Sequence, residues 1–396
     1  MNYESIIARR AAEIKPSGIR KFFDLAATMQ DCISLGVGEP DFKTPWMIRD
    51  AGIKSLERGK TWYTNNAGLP EVRNAIADYL ERRFDLSYDP ATEIAVTTGG
   101  SEAIDLALRA LLNSGEGEEV IIPEPCYVSY APLCELCGGV PVPMPLHAED
   151  GFRITAEGLR KAITPKTKAI IMAFPGNPTG AVMRAEHLAP VAEVLRDTDI
   201  MVITDELYAE LTYGRQRHVS IAALPGMKEH CIYVNGFSKA YAMTGWRLGY
   251  MCAPQEIMRI MVKIHQFGII CAPTTSQYAA LVALRDGDDA IEAMRQEYDM
   301  RRKLLVNALN KMGLTCFEPE GAFYVFPSIK ATGLSSAEFC EQLLYAQKVA
   351  VVPGTAFGDS GEGFVRISYS YSIEHLSEAL KRISSFLEEL KNKSNS

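Results

Sequence analysis

The sequence predicts an α/β fold: a large domain built on a mostly parallel seven-stranded sheet sandwiched by helices, followed by a smaller α+β domain. Three observations lead there. From residue 93 onward, short apolar runs alternate with helical patterns, the signature of a parallel sheet covered on both faces. Glycine, asparagine, acidic and lysine residues stand just beyond the carboxyl ends of those runs, where open α/β sheets bind ligands. Past about residue 285 the alternation gives way to a long charged helix and a few short strands. A length of 396 residues suits one large and one smaller domain, and 47% hydrophobic with 23% charged residues is ordinary globular composition. The expected divisions are an N-terminal segment at 1–48, the large domain at 49–285 and the small domain at 286–396.

A net charge of −8 argues against nucleic acid or a membrane surface as the main partner. No apolar run reaches the length of a membrane span, and the first ten residues lack the apolar core of a secretion signal, so a cytoplasmic location is expected. The nine cysteines often sit inside apolar runs and read as reduced core thiols. The pair Cys134 and Cys137 has no second pair at zinc-finger spacing, and the six histidines form no ligand-spaced cluster. No metal is expected.

Taken in order, the chain opens with a helical pattern around Ile6, Ile7 and Ala11, a break at Lys15-Pro-Ser-Gly18, and a second apolar helix from Ile19 to Met29. Gly36 and Gly38 would let backbone approach a ligand closely, although a simple turn is an equally physical reading. Helices at 50–57 and 71–83 flank a loop containing Tyr63. Strands are expected at 93–98, 119–122, 140–143, 168–173, 201–204, 230–234 and 248–252. After the first, Gly99-Gly100-Ser101-Glu102 opens an alanine- and leucine-rich helix, offering free N–H groups and a positive helix end to a phosphate. Tyr127 follows the second strand, where an aromatic ring can stack on a flat ligand. Beyond the fourth, prolines and glycines bracket Asn177 and fix its amide. The fifth runs into Asp205, which is either a helix N-cap or a buried acid in need of a cation such as a ring nitrogen.

The sixth strand leads into Val234-Asn-Gly-Phe-Ser-Lys239-Ala-Tyr-Ala-Met-Thr-Gly-Trp-Arg247. A lysine amine is a nucleophile only without its proton, and burial beside a second cation lowers its pKa enough to form a Schiff base with a carbonyl. Arg247 is such a cation, or else a fork of donors for a phosphate. Lysine plus phosphate clamp suggests pyridoxal phosphate. In the last part of the chain a strand-like run at 321–326, a helix at 335–347, a strand at 349–352 and a closing helix at 373–390 are expected. Arg366 stands between apolar neighbours there. It either points outward by alternation or clamps a carboxylate.

Together the segments resemble the class I/II aminotransferases, the pyridoxal-phosphate enzymes of fold type I. The resemblance covers nearly the whole chain and rests on Ser238-Lys-x-x-x-Met-x-Gly-Trp-Arg-x-Gly249, Asn177-Pro-Thr-Gly, Asp205-Glu-x-Tyr208 and the late Arg366. Pro16-Ser-Gly-Ile-Arg-Lys-Phe-Phe-Asp-Leu-Ala26 is similar to the bacterial and archaeal aspartate/aromatic branch. The likeness implies that Lys239 carries the cofactor and later shuttles the substrate proton, that Asp205 keeps the pyridine nitrogen protonated, and that Asn177 and Tyr208 bond the ring oxygen while Tyr127 stacks. Gly100, Ser101, Ser238 and Arg247 would bind the phosphate, joined by Tyr63 of a neighbouring subunit in a homodimer, and Glu102 would be a further cofactor-binding residue. Arg366, with Gly38 and Asn177, would hold the substrate α-carboxylate, and a cis Asn177–Pro178 bond is expected. The N-terminal segment would pack with the small domain and cover the site.

The function this implies is ping-pong transfer of an amino group between an L-amino acid and a 2-oxo acid, with aromatic, aspartate-like or broad specificity. For a second substrate carboxylate Arg109 is a weak candidate, as are Lys15 and Arg20. Two other functions share these residues: a β-eliminating carbon–sulfur lyase, which needs no oxo acid, and a non-catalytic ligand sensor, for which no DNA-binding module is seen.

Overall fold

The computed structural model describes residues 1, 3–14, 29–214 and 217–394, with only the backbone of 393 and 394. The readings placed on 15–28, including most of the second N-terminal helix, Lys15 and Arg20, lie outside the described residues. The strands are β1 (Ile33–Ser34), β2 (Ile94–Thr97), β3 (Glu119–Glu124), β4 (Val140–Pro145), β5 (Thr167–Ala173), β6 (Met201–Asp205), β7 (Cys231–Gly236), β8 (Gly249–Cys252), β9 (Tyr324–Val325), β10 (Val349–Ala350), β11 (Val352–Pro353) and β12 (Val365–Ser368).

Seven of them form one sheet in the order β2-β8-β7-β6-β5-β3-β4. β8 runs antiparallel to both of its neighbours, and the other pairings are parallel. Six strands therefore share one direction, and their carboxyl ends share one edge. The reason this sheet is sandwiched is visible in the side chains. In β5, Ala169 and Ile171 pack into the core on one face while Ile170 and Met172 pack into the core on the other. β7 divides the same way, with Cys231 and Tyr233 on one side and Ile232 and Val234 on the other. An apolar residue at every position demands cover on both faces, and each such side chain contributes roughly 1.5–3 kcal/mol when fully buried.

The helix Gly100–Leu111 covers one face through Ala103, Ile104, Leu106, Ala107 and Leu108, all buried. It starts at Gly99, whose φ of 86° is open chiefly to glycine. A separate core gathers the long helix Asp288–Met312, β9, β12 and the closing helix Ile373–Ser394. Residues 33–41 join it: β1 pairs in parallel with β10, Ser368 donates its N–H to Leu35, and Arg301 bonds the Asp41 carboxylate at 2.9 Å.

Two strand expectations differ from the structure. The run at 349–352 is two short strands, because β10 faces β1 while β11 pairs with β12 in another sheet. The run at 321–326 keeps only Tyr324 and Val325 as strand, since Ala322 takes a left-handed φ of 57°. Among the described residues, no helix is long and apolar enough to cross a membrane.

Candidate active site

A cavity of about 520 Å³ opens at the carboxyl edge of the sheet. Gly38, Gly100, Ser101, Tyr127, Asn177, Asp205, Tyr208, Ser238, Lys239, Arg247 and Arg366 all line it, although they come from positions as far apart as 38 and 366. The topology accounts for this. Gly100 and Ser101 follow β2, Tyr127 follows β3, Asn177 follows β5, Asp205 ends β6, and Ser238 and Lys239 follow β7. Arg366 is brought in on β12, from the second core, and Tyr324 comes from the same core on β9.

At one end, Arg247 faces the turn that starts the helix Gly100–Leu111. A Cβ built on Gly99 would sit 2.6 Å from its Nη2, so the glycine is what lets the guanidinium approach. Ser101, at the helix start, and Ser238 line the cavity beside it. Backbone donors at a helix start, two hydroxyls and a guanidinium suit an anion.

In the middle, the Lys239 amine donates to the Gly38 carbonyl at 2.6 Å and lies 5.6 Å from the Tyr208 ring centroid. Burial pushes its pKa down to about 8; Glu39 and Asp205 oppose this, and Arg366 and Arg247 add to it. Asp205 is pushed up to about 6 by burial, against the hydrogen bonds it accepts from the Tyr130 hydroxyl at 2.8 Å and the Leu207 N–H at 3.2 Å. Tyr208 and Tyr324 share a hydroxyl pair at 2.7 Å. Burial raises the Tyr208 phenol well above its usual value.

At the other end, Arg366 is 4% exposed and points inward. The outward alternative fails because β12 is covered on both sides, with all four of its residues buried. Its Nη1 donates to Asn177 Oδ1 at 2.8 Å and its Nη2 to the Gly36 carbonyl, while Nε has no partner. The guanidinium stacks 4.5 Å from Tyr324 and 4.7 Å from Phe357.

Pyridoxal phosphate fits this donor set. An anion site, an amine held partly deprotonated and a buried acid short of a cation are arranged along one cavity of suitable size. The Asn177–Pro178 bond is cis.

Two of the candidates do not line the cavity. Glu102 turns its side chain away from the cavity to accept from Thr98 N–H and from His265 at 2.7 Å. Arg109 is held by Asp105 at 2.7 Å on the exposed side of its helix and does not line the cavity. Tyr63 is 75% exposed and lies outside the cavity of its own chain. Sequence reasoning gave no role to Tyr130, Tyr324 or Glu39. The spacing of Tyr127 and Tyr130, one helical turn apart, is the one signal that marks Tyr130. Tyr324 hides in an apolar run and carries no such mark.

The model for aminotransferase class I and II matches residues 30–383. An aspartate aminotransferase of Pyrococcus abyssi (strain GE5 / Orsay) is 50% identical over 380 residues, covering 96% of this chain and 97% of that protein. An aromatic-amino-acid aminotransferase 2 of Thermococcus litoralis is 45% identical over 387 residues, covering 97% and 99%. The crystal structure of an aromatic aminotransferase from Pyrococcus horikoshii OT3 superposes with a TM-score of 0.89 at 47% identity, covering 94% of this chain and 99% of that one. With the family model matched over most of its length and its architecture shared with these relatives, the chain belongs to the class I and II aminotransferases.

Proposed function

We propose that the cavity is the transamination centre, with Lys239 as the residue that moves the substrate proton, Asp205 as the partner of the cofactor's ring nitrogen and Arg366 as the carboxylate clamp. The observation that carries this is the convergence of those three side chains in one cavity from separate parts of the chain. The chain is an aminotransferase of a pyridoxal-phosphate-dependent family. When bound, pyridoxal phosphate supplies an electron sink for the bond broken at the substrate α-carbon.

The residues divide the remaining work. Arg366 offers a planar fork to the α-carboxylate and, with Asn177 and Gly38, fixes which α-bond faces Lys239. Lys239, its proton weakly held, takes the α-proton and returns it to the cofactor side. Asp205 stays anionic beside a cation, because a buried carboxylate gains most from such a partner. Gly100, Ser101, Ser238 and Arg247 hold the phosphate, Tyr127 stacks, and Tyr208 and Asn177 bond the ring oxygen.

Support for a homodimer comes from the exposed Trp62, Tyr63, Phe267, Ile269 and Ile270, an apolar group that a second subunit would cover. Tyr63 then serves the neighbour's phosphate. Residues 1–48 would cover the site and move with 286–396, while 49–285 hold the cofactor. A cytoplasmic location agrees with this chemistry. The substrate range is aromatic, aspartate-like or broad. Among the described residues the cations lining the cavity are Lys239, Arg247 and Arg366, each with a task, so a second carboxylate needs a cation from elsewhere.

The test uses the purified, cofactor-loaded protein and single L-amino acids without any oxo acid. One equivalent of 2-oxo acid per site, with loss of the visible cofactor band, is the expected result. Continued release of pyruvate and ammonia without an acceptor would overturn it.

A further inference from the structure

We infer that Glu102 and His265 are positioning residues for the phosphate end of the cofactor; this rests on the reading that Gly100, Ser101 and Arg247 hold that phosphate. The His265 side chain is buried, with 0% exposure, and that of Glu102 is mostly covered, with 13%. One carboxylate oxygen of Glu102 accepts from His265 Nδ1 at 2.7 Å. The other accepts from the backbone N–H of Thr98, ahead of the Gly99–Gly100 turn. Glu102 is the third residue of the helix that begins at Gly100, so this bond closes the turn from behind.

The link also sets the direction of a charge. A carboxylate in the first turn of a helix is stabilised by the helix dipole, yet it would repel a phosphate bound at the same end. The imidazole donor draws the carboxylate to the far side, into the packing between the helices Gly100–Leu111 and Gln255–Gly268. His265 Nε2 is buried without a hydrogen-bond partner, so the bond to Glu102 is the one that orients the ring. The pair therefore holds the turn that faces Arg247 without touching the cavity.

A role in positioning the phosphate is separable from a role in holding the fold, because pyridoxal presents the same ring and aldehyde without the phosphate. Cofactor-free full-length protein is titrated with pyridoxal phosphate and with pyridoxal, following absorbance, for the parent and for His265→Leu, His265→Asn, Glu102→Gln and Arg247→Gln. His265→Leu is expected to lower the preference for pyridoxal phosphate over pyridoxal by about tenfold, the scale of one hydrogen bond to a charged group, with pyridoxal affinity within about twofold of the parent. His265→Asn, which returns a donor near the Nδ1 position, is expected to recover most of that preference. Combining Glu102→Gln with His265→Leu should add little to either change alone, as for two ends of one link. An unchanged preference in the His265 and Glu102 variants, with a clear loss in Arg247→Gln, would overturn the positioning role alone. Equal loss for both ligands would also overturn it, in favour of a fold role. No loss of preference in Arg247→Gln would remove the phosphate reading itself.

Discussion

Tyr130 donates its hydroxyl hydrogen to Asp205 Oδ2 at 2.8 Å, and this bond works against the burial that drives the Asp205 pKa up to about 6. The tyrosine thus favours the anionic acid, the form that a cationic ring nitrogen requires. Its own phenol is pushed well above the usual value, first by burial and then by Asp205, so it remains a donor.

Replacing Tyr130 with phenylalanine should therefore raise the Asp205 pKa further and move the acidic limb of kcat/KM toward higher pH. A loss of roughly tenfold is expected, the scale of one hydrogen bond to a charged group, and it should be largest at acid pH. A pH–rate profile that falls evenly at all pH values would mean that Tyr130 acts by packing alone.

Gly38 is a position where space, not backbone conformation, requires glycine. A Cβ there would lie 2.3 Å from the Tyr324 hydroxyl oxygen, and the next ring atom is 3.3 Å away. Gly38→Ala should displace the carbonyl that holds Lys239 and raise the substrate KM by roughly tenfold, in line with overpacking costs of about 1–3 kcal/mol. Tyr324→Phe removes the clashing oxygen, so the double variant should recover part of the loss. Strictly additive effects in this cycle would count against the contact.

Arg366 uses both arms of its fork, on Asn177 and on Gly36, and stacks on two rings. Lysine keeps the charge but not the plane. Arg366→Lys should raise KM for the amino acid by about a hundredfold or more, while affinity for simple amines that lack a carboxylate stays near the parent's. Equal weakening for both kinds of ligand would show that the clamp reading is wrong.

The sheet was legible because most of its strands carry short unbroken apolar runs, and the site was legible where chemistry-bearing residues end or follow those strands, as Asp205, Asn177 and Lys239 do. Arg366 could be noticed in the sequence but not oriented, since only the cover on both sides of β12 decides that it points inward. The side-chain partner of Glu102 was illegible because its place beside Ser101 says nothing of His265, which is 163 residues away in sequence and adjacent only once two helices pack. Tyr324 was illegible for a similar reason. Its polar role depends on meeting Tyr208, in the turn after β6 and 116 residues away in sequence, and nothing local in Ala322-Phe-Tyr-Val announces that.

The lysine proposed to move the substrate proton is also a local weakness in the cofactor-free protein. Burial lowers its pKa from 10.5 to about 8, so the folded chain holds this proton less tightly than the unfolded chain does. Below about pH 8 both states are charged and the whole penalty is present. It shrinks as pH rises from about 8 toward 10.5 and is gone above that, so the lysine's effect on stability improves with alkalinity. The shift corresponds to about 3 kcal/mol, and solvent reaching the amine through the cavity trims this to roughly 2. Lys239→Met keeps the length of the side chain and removes the charge, at the loss of the bond to Gly38, worth about 1 kcal/mol. The cofactor-free variant should melt about one degree above the parent at neutral pH, with the gap closing as pH approaches the ordinary lysine value, while turnover is abolished. Thermal melts across that range decide the matter: a gap that does not depend on pH, or a variant less stable than the parent at neutral pH, would show that the buried charge is not what burdens the fold.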